Sequence, residues 1–395
     1  MQIPDHTEDS VKQALADSKV LPVFPVSSLG QYCEVTDFIR RAWVDKVNDR
    51  QNKPDQGSKK LKGYVGEILP WFRGVRESEE MLTPKLAREW IKYNQHKNEQ
   101  KNKPASSDNL NLDRPDHKSI YDLEDYYFDR FTRFGRPFLG GFMPMDDIEW
   151  NYIMRHHEVP SRLLDWTKGS LIALSYAVRH SLPTRGELNS NDPEYNHKLE
   201  DAVVWMLEPR RLMEMTTQFL DDVNSTGIRN IASREKQVRG MRRDFFKDPS
   251  KFPGDAKPDD QYHNRHLWDS PLGYWDYPLP LIPSHISARV ESHLSRFTLH
   301  SLSSFRQPAG QNTTKDSVDI PSPDDSLIQF AKKARVSDNI WYLAKIELSG
   351  TVLRSIARVL RMTGVGDMNF TQDLDGLARE LQIRAHLGFQ DDLNN

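Results

Sequence analysis

The segment Ser170 to Val178 constrains the fold more than any other part of the sequence. It reads SLIALSYAV, so small or apolar residues occur on nearly every side of the helix that it predicts. Such a helix is stable only where other elements cover it, and we expect it at the centre of the structure. The residues just before it include a dense polar group: His156, His157, Ser161, Arg162, Asp165 and Thr167. Polar side chains at the mouth of a buried helix are what a ligand site requires.

The overall charge gives no electrostatic reason for this chain to bind nucleic acid or an anionic membrane. It has 54 Lys and Arg against 57 Asp and Glu, a net charge of -3. No window approaches the roughly 18 apolar residues that span a bilayer, and the N-terminus lacks the apolar run of a signal peptide. The single cysteine, Cys33, excludes an intramolecular disulfide, as is typical of a reducing compartment. We expect a soluble cytoplasmic protein that makes no membrane contact.

Strands interleaved with helices, without a regular βαβ order, favour an α+β fold: a mixed central sheet flanked by helices in a single large domain. We predict strands at 68–75, 202–207, 296–300 and 340–348. We predict helices at 35–47, 123–134, 146–157, 170–178, 352–362 and 374–387. Residues 1–25 are expected to be a loosely held lead-in, and 26–390 the domain, with polar insertions near 93–118, 184–199 and 305–326.

Five segments, in order along the chain, resemble the FRG domain family. Trp71-Phe72-Arg73-Gly74 resembles the opening motif from which that domain takes its name, and HHEVPSRLLDWT at 156–167 resembles its second motif. The remaining matches are the strand at 202–207, the block ISARVESHLSRFTL at 286–299 and the block GVGDMNFTQDLDGLAREL at 364–381. In the third block, His293 and Ser295 stand where the family usually has glutamine and glycine. The resemblance spans residues 30–385, interrupted by the three insertions.

Arg73 is expected to bind either a ligand or a structural carboxylate. A guanidinium on a buried strand is costly unless it is paired, and its fork of donors suits phosphate as well as carboxylate. The candidate structural partners are Asp165 and Glu124. Gly74 allows close approach, either of a ligand or of a second backbone.

The aromatic-Arg-Gly strand also resembles, more distantly, the opening strand of arginine-specific ADP-ribosyltransferases. That resemblance implies an enzyme that takes NAD as co-substrate and cleaves or transfers at its glycosyl bond, and it fits an intracellular toxin or defence effector. Arg73 would contact NAD, and Asp165-Trp166-Thr167 before the Ser170 helix would take the second place. Glu291 or His293 would address the ribose. The ligand is then a nucleotide, and the acceptor, a protein or a nucleic acid, stays open.

Several side chains carry alternatives within this hypothesis. His157 is expected to enter the pocket as hydrogen-bond partner or general base while His156 caps or packs, and Arg162 could pair with Asp165. Thr167 and Ser170 are candidate helix N-caps whose helix would direct backbone N–H groups at a pyrophosphate. The predicted catalytic residues are Arg73, His157, Asp165, Glu291 and His293. The predicted cofactor-binding residues are Arg73, Gly74, Arg162, Trp166, Thr167 and Ser170, with Trp166 either a stacking wall or ordinary core.

Two other functions compete with an NAD-consuming enzyme. One is a non-catalytic FRG ligand-binding or interaction domain, in which the same polar cluster is structural. The other is a metal-dependent hydrolase or nuclease that uses His156, His157 and Asp165 as ligands. Adjacent residues on a helix point about 100° apart, which disfavours two ligands from one histidine pair, so we assign no metal ligand.

Overall fold

The computed structural model describes residues 6–52, 69–76, 82–101, 117, 120–139, 144, 147–179, 201–216, 277–283, 294–300 and 325–366. Its strands are β1 (Val23–Val26), β2 (Trp71–Arg76), β3 (Leu163–Thr167), β4 (Ala202–Leu207), β5 (Leu279–Leu281), β6 (Ser295–Leu299) and β7 (Leu343–Leu348). Its helices are α1 (Glu8–Asp17), α2 (Leu29–Asn52), α3 (Lys85–Lys101), α4 (Ile120–Gly135), α5 (Asp147–His156), α6 (Ser170–Arg179), α7 (209–216), α8 (Asp325–Asp338) and α9 (Gly350–Met362). A 3-10 turn at Arg136–Phe138 follows α4.

The strands of the described residues form one mixed sheet in the order β1-β7-β4-β2-β3-β6-β5. Strands β1 and β7 are parallel, and every other neighbouring pair is antiparallel. The predicted α+β class, with a mixed central sheet flanked by helices in a single large domain, is confirmed. Strand β4 lies inside the sheet, paired over six residues with both β2 and β7, and all six of its residues are buried. This is the placement that its continuous apolar run predicts.

Each outer strand of this sheet carries a proline. Pro25 lies in β1 and Pro280 in β5, at the two ends of the strand order. Proline cannot donate a ladder hydrogen bond, so it is tolerated at a sheet edge and discourages pairing with another chain. The two prolines therefore disfavour the pairing of a further strand at either edge of the described sheet.

Helix α6 is the central buried helix that its sequence predicts, and it packs directly on β2. Ala173, Leu174 and Ala177 are fully buried. A Cβ on Gly74 would lie 1.7 Å from the Ala173 carbonyl oxygen. Of the two alternatives for Gly74, the structure therefore shows close approach of a second backbone, that of α6.

The N-terminal residues are part of the fold, which corrects the expectation of a loosely held lead-in at 1–25. Val11 and Leu15 of α1 are fully buried, and the Trp341 backbone N–H donates to the Leu15 carbonyl at 3.0 Å. Strand β1 pairs with β7 over four residues. A ten-residue helix with few apolar positions is marginal alone, so its stability comes from docking onto the rest of the domain.

The predicted insertions lie mostly outside the described residues. Helix α3 continues to Lys101, so the first part of the insertion expected at 93–118 is helical. The insertion at 184–199, most of that at 305–326 and the helix predicted at 374–387 fall outside the description. Within the described ranges, no helix combines the length and the apolar character that crossing a membrane requires.

Candidate functional site

The sheet opens between β2 and β3. These two strands pair at one position only, Phe72 with Thr167, whereas β2 pairs with β4 at six positions and β3 with β6 at five. The Arg73 guanidinium reaches into this opening, where Nη1 donates to the Asp165 backbone carbonyl at 3.2 Å. The Arg73 side chain thus connects β2 to β3 at a position where the two strands make no backbone hydrogen bonds to each other.

A cavity of about 220 Å³ lies at this opening, between α5 and α6. From the sheet it is lined by Phe72, Arg73 and Gly74 of β2, by Asp165, Trp166 and Thr167 of β3, and by Ser295 and Phe297 of β6. From the helices and the turn after α5 it is lined by Arg155, His156, Glu158, Ala173, Tyr176 and Arg179. Three segments that are far apart in sequence therefore meet at one cavity.

The Asp165 carboxylate accepts several hydrogen bonds from one guanidinium at this cavity. Its Oδ1 accepts from Arg155 Nε at 2.7 Å and its Oδ2 accepts from the same Nε at 2.8 Å and from Arg155 Nη2. Arg73 Nη1 lies 3.7 Å from Oδ2. Burial by itself would raise the pKa of Asp165, but the guanidiniums of Arg155, Arg73 and Arg88 outweigh it and hold that pKa below its usual value. The carboxylate is therefore ionised at neutral pH.

The turn after α5 brings Arg155 and Asp165 together. The Val159 N–H donates to the Met154 carbonyl at 2.9 Å, and Glu158 has a positive φ of 60°. This left-handed residue ends the helix and reverses the chain, so that β3 runs back beneath α5. Two residues ten positions apart thereby face each other across the turn.

The family model of the FRG domain matches residues 70–185. Residues 70–185 are thus similar to the FRG domain. The matched segment runs from β2 to the end of α6, so it includes both the Arg73 strand and the Arg155–Asp165 pair. No curated protein and no solved structure matched this chain.

Arg162 does not line this cavity. It is completely buried, with Nε 2.7 Å from Glu124 Oε1 and Nη2 bonded to Oε2. The Arg162–Asp165 pair that the sequence allowed is therefore not formed. Residues three apart along an extended chain point to opposite sides, so these two side chains face different partners.

The two histidines at the end of α5 are placed in the reverse of the expected order. His156 lines the cavity, whereas His157 is exposed and its ring lies 6.3 Å from the ring of Phe131. Consecutive helical residues point about 100° apart, so only one of the pair can face the cavity. Which of the two does so depends on how α5 packs.

Trp166, Thr167 and Ser170 also take specific positions. Trp166 lies in the core, 3% exposed, with its indole N–H donating to Thr298 Oγ1 at 3.0 Å. Thr167 Oγ1 accepts from the Gly169 N–H at 3.0 Å, and Ser170 is the first residue of α6 and does not line the cavity. The cavity is faced by Ala173, Tyr176 and Arg179, so α6 presents its side rather than its N-terminus.

Glu291 and His293 lie outside the described residues. The residues that follow them, Ser295 and Phe297, line the cavity. The segment at 286–299 therefore reaches the site through β6, and the roles of Glu291 and His293 stay predictions.

Sequence reasoning missed Arg155, Tyr176 and Arg179. Arg155 had a weak signal, since it is a basic residue in the last turn of α5, directly before the histidine pair. Tyr176 and Arg179 lie on one side of α6 at a spacing of three, where the Arg179 guanidinium lies 5.9 Å from the Tyr176 ring centroid. In the part of the chain that the structure describes, no three His, Cys, Asp or Glu side chains form a group that could hold a metal ion.

Proposed function

We propose that this FRG-domain chain is an NAD-consuming enzyme of the ADP-ribosyltransferase-like class and that the cavity at the β2–β3 opening binds NAD. The observation that carries the proposal is the convergence of Arg73, the Asp165-Trp166-Thr167 strand and β6 on that cavity. The resemblance to ADP-ribosyltransferases requires these three segments to share one site.

The chemistry of the lining supports a nucleotide ligand. Three arginines, Arg73, Arg155 and Arg179, line the cavity against two carboxylates, Asp165 and Glu158. Guanidinium groups favour phosphate, because their donors match two phosphate oxygens at once. Aromatic walls for a base or a nicotinamide ring come from Phe72, Tyr176 and Phe297.

The size of the cavity supports binding of part of a dinucleotide. At about 220 Å³ it is smaller than the range of about 300–1,000 Å³ that holds a whole small-molecule ligand. In this proposal one half of NAD lies inside the described cavity, and the other half extends beyond it.

The proposed reaction breaks the bond between C1′ of the ribose and the ring nitrogen of nicotinamide. The bonding electron pair leaves with nicotinamide, and C1′ gains oxocarbenium character. A nucleophile of the acceptor, or water, then forms the new bond to C1′ and loses its proton. Arg73 binds the phosphates of NAD, and the ionised Asp165 lines the polar side of the pocket. Glu291 or His293 hydrogen-bonds the ribose hydroxyl.

The remaining predicted residues have supporting places in this proposal. Arg162 holds α4 against the start of β3 through Glu124, and Trp166 anchors β3 to β6 through Thr298. Gly74 lets α6 approach β2. His156 takes the place in the pocket that the sequence suggested for His157.

The test is the loss of NAD in the presence of the purified full chain, followed by chromatography of nicotinamide and of labelled acceptor in lysate. Arg73→Ala should lower kcat/KM for NAD by about 10- to 100-fold, since it removes a charge-assisted contact. Arg76→Ala is the matched control, because Arg76 lies on the same strand but not in the cavity lining. Equal loss in both variants, with both folded, would contradict the proposed role of Arg73.

A non-catalytic FRG ligand-binding domain is the second candidate. The observation that favours it is that Asp165 is already held by Arg155 and Arg73, as a purely structural carboxylate would be. NAD that stays intact over hours with wild-type protein, together with saturable nucleotide binding, would establish this alternative and refute the enzyme. A toxin or defence role further requires that expression of the chain lower cellular NAD.

A further inference from the structure

Arg155 offers two different edges of its guanidinium, and Asp165 occupies only one of them. The contacts to Asp165 use Nε and Nη2, which form the side edge of the group. Within the described residues, Nη1 makes no hydrogen bond, and Arg155 is part of the cavity lining with its side chain 15% exposed. Asp165 thus holds one edge of the guanidinium, and Nη1 at the other end belongs to a side chain that lines the cavity.

Several positively charged side chains surround the Asp165 carboxylate. Arg155 and Arg73 both approach Asp165 Oδ2, and Arg88 also acts on the same carboxylate. Three guanidiniums thus act on the one ionised carboxylate of Asp165. Guanidiniums crowded in this way repel one another, and an additional anion beside them relieves the repulsion.

We propose that Arg155 binds a phosphate group of the ligand through its outer edge, and that Asp165 is the positioning residue that holds Arg155 for this purpose. The inference rests on the proposed function only in taking the ligand to be a nucleotide with a pyrophosphate group. A free arginine loses considerable rotamer freedom when it binds an anion. Asp165 reduces this loss of conformational entropy on binding, because it already fixes the plane and direction of the Arg155 guanidinium in the ligand-free protein.

This proposal makes an unusual prediction about Asp165. A negative charge close to a binding site ordinarily repels an anionic ligand. Neutralisation of that charge should therefore strengthen binding of the anion. If Asp165 instead holds Arg155 in place, its neutralisation weakens binding although it removes a like charge. Glu158 provides the matched control, because it lines the same cavity, carries the same charge and is exposed. Its backbone N–H donates to the Arg155 carbonyl, but in the described residues its carboxylate makes no hydrogen bond to the Arg155 guanidinium.

The experiment is titration calorimetry of the full chain with inorganic pyrophosphate. Wild type should bind it, Arg155→Lys should bind at least about tenfold more weakly, and Asp165→Asn about fivefold more weakly. Glu158→Gln should bind about twofold more tightly, as simple electrostatics demands. Circular dichroism and unfolding temperature report whether each variant is folded, and if Asp165→Asn does not fold, Arg155→Lys and Glu158→Gln decide the question.

Three results would overturn the inference: no binding of pyrophosphate by wild type, unchanged binding by Arg155→Lys, or tighter binding by a folded Asp165→Asn. The outcome is separate from that of the proposed function. Pyrophosphate binding that depends on Arg155, without any consumption of NAD, keeps this inference and refutes the enzyme. Consumption of NAD with an unchanged KM in Arg155→Lys keeps the enzyme and refutes this inference.

Discussion

Arg162 and Glu124 form an ion pair that is almost completely removed from solvent, with the two side chains 1% and 7% exposed. Arg162 Nε donates to Oε1 at 2.7 Å, and Nη2 donates to Oε2. The pair joins α4 to the residue just before β3. It therefore supports the strand that carries Asp165 without contacting the cavity.

Removal of one partner of this pair should be strongly destabilising. Arg162→Met leaves the Glu124 carboxylate buried without its counter-ion and is expected to lower the free energy of unfolding by about 3–5 kcal/mol. Glu124→Gln should also destabilise the protein, for the corresponding reason. Urea denaturation of both single variants and of the double variant measures the coupling.

The double variant is the critical control for this pair. An apolar or neutral pair carries no buried charge, so Arg162→Met with Glu124→Gln should be more stable than Arg162→Met alone. Strictly additive losses would show that the two side chains act independently. A loss of nucleotide affinity in folded Arg162→Met, with little change in stability, would instead assign Arg162 to the ligand.

Gly74→Ala should disrupt the packing of α6 on β2. The added Cβ would lie 1.7 Å from the Ala173 carbonyl oxygen and 2.9 Å from the Ala177 nitrogen, and both are backbone atoms that cannot rotate away. We expect a loss of about 3 kcal/mol or more in the free energy of unfolding. Gly30→Ala in α2 is the control: its nearest neighbour would be Ser28 Oγ at 3.9 Å, and alanine favours a helix. Equal stability of both variants, measured by thermal unfolding, would contradict the packing.

His300 should make the protein sensitive to acid. It is 2% exposed between Thr298 and Ser326, and burial, together with the charge of Arg73, lowers its pKa to about 3. Between pH 6.5 and 3 the unfolded chain therefore binds this proton more readily than the folded chain does. Stability due to this group falls as the pH falls through that window, by on the order of 5 kcal/mol at most. His300→Gln should show a shallower loss of stability between pH 6 and 4, and an unchanged slope would refute this assignment.

Glu208 should act in the opposite direction. Its side chain is buried and accepts from the Arg210 N–H at the start of α7, and burial raises its pKa to about 7. Between pH 4.5 and 7 the folded state holds this proton more tightly, so the contribution to stability falls as the pH rises through that window. Glu208→Gln keeps an acceptor for the helix and should be up to about 3 kcal/mol more stable than wild type at pH 8, with little difference at pH 4. Chemical denaturation at the two pH values measures this, and a stability loss at pH 8 would contradict it.

The elements predicted most closely are those with a strong local pattern. The predicted strand at 202–207 is β4 with the same bounds, and the predicted helices at 146–157 and 170–178 differ from α5 and α6 by one residue at their ends. A continuous apolar run or a helical apolar spacing encodes such an element in adjacent residues. Strand β3 was not predicted, because LLDWT is short and mixes apolar with polar positions. Its strand conformation depends on five pairs with β6, more than 100 residues later in the sequence.

The amino-acid sequence alone determined the α+β class, the buried position of α6 and the two motifs that meet at the cavity. Each of these follows from the pattern of residues that are adjacent in the sequence. Only the tertiary structure decided which charges pair: Asp165 with Arg155 and Arg73, and Arg162 with Glu124. It likewise decided that His156 rather than His157 faces the cavity. The ion-pair partner of a charged side chain depends on which other helix or strand packs against the face that carries it. The residues close to that side chain in sequence do not specify which helix or strand this is.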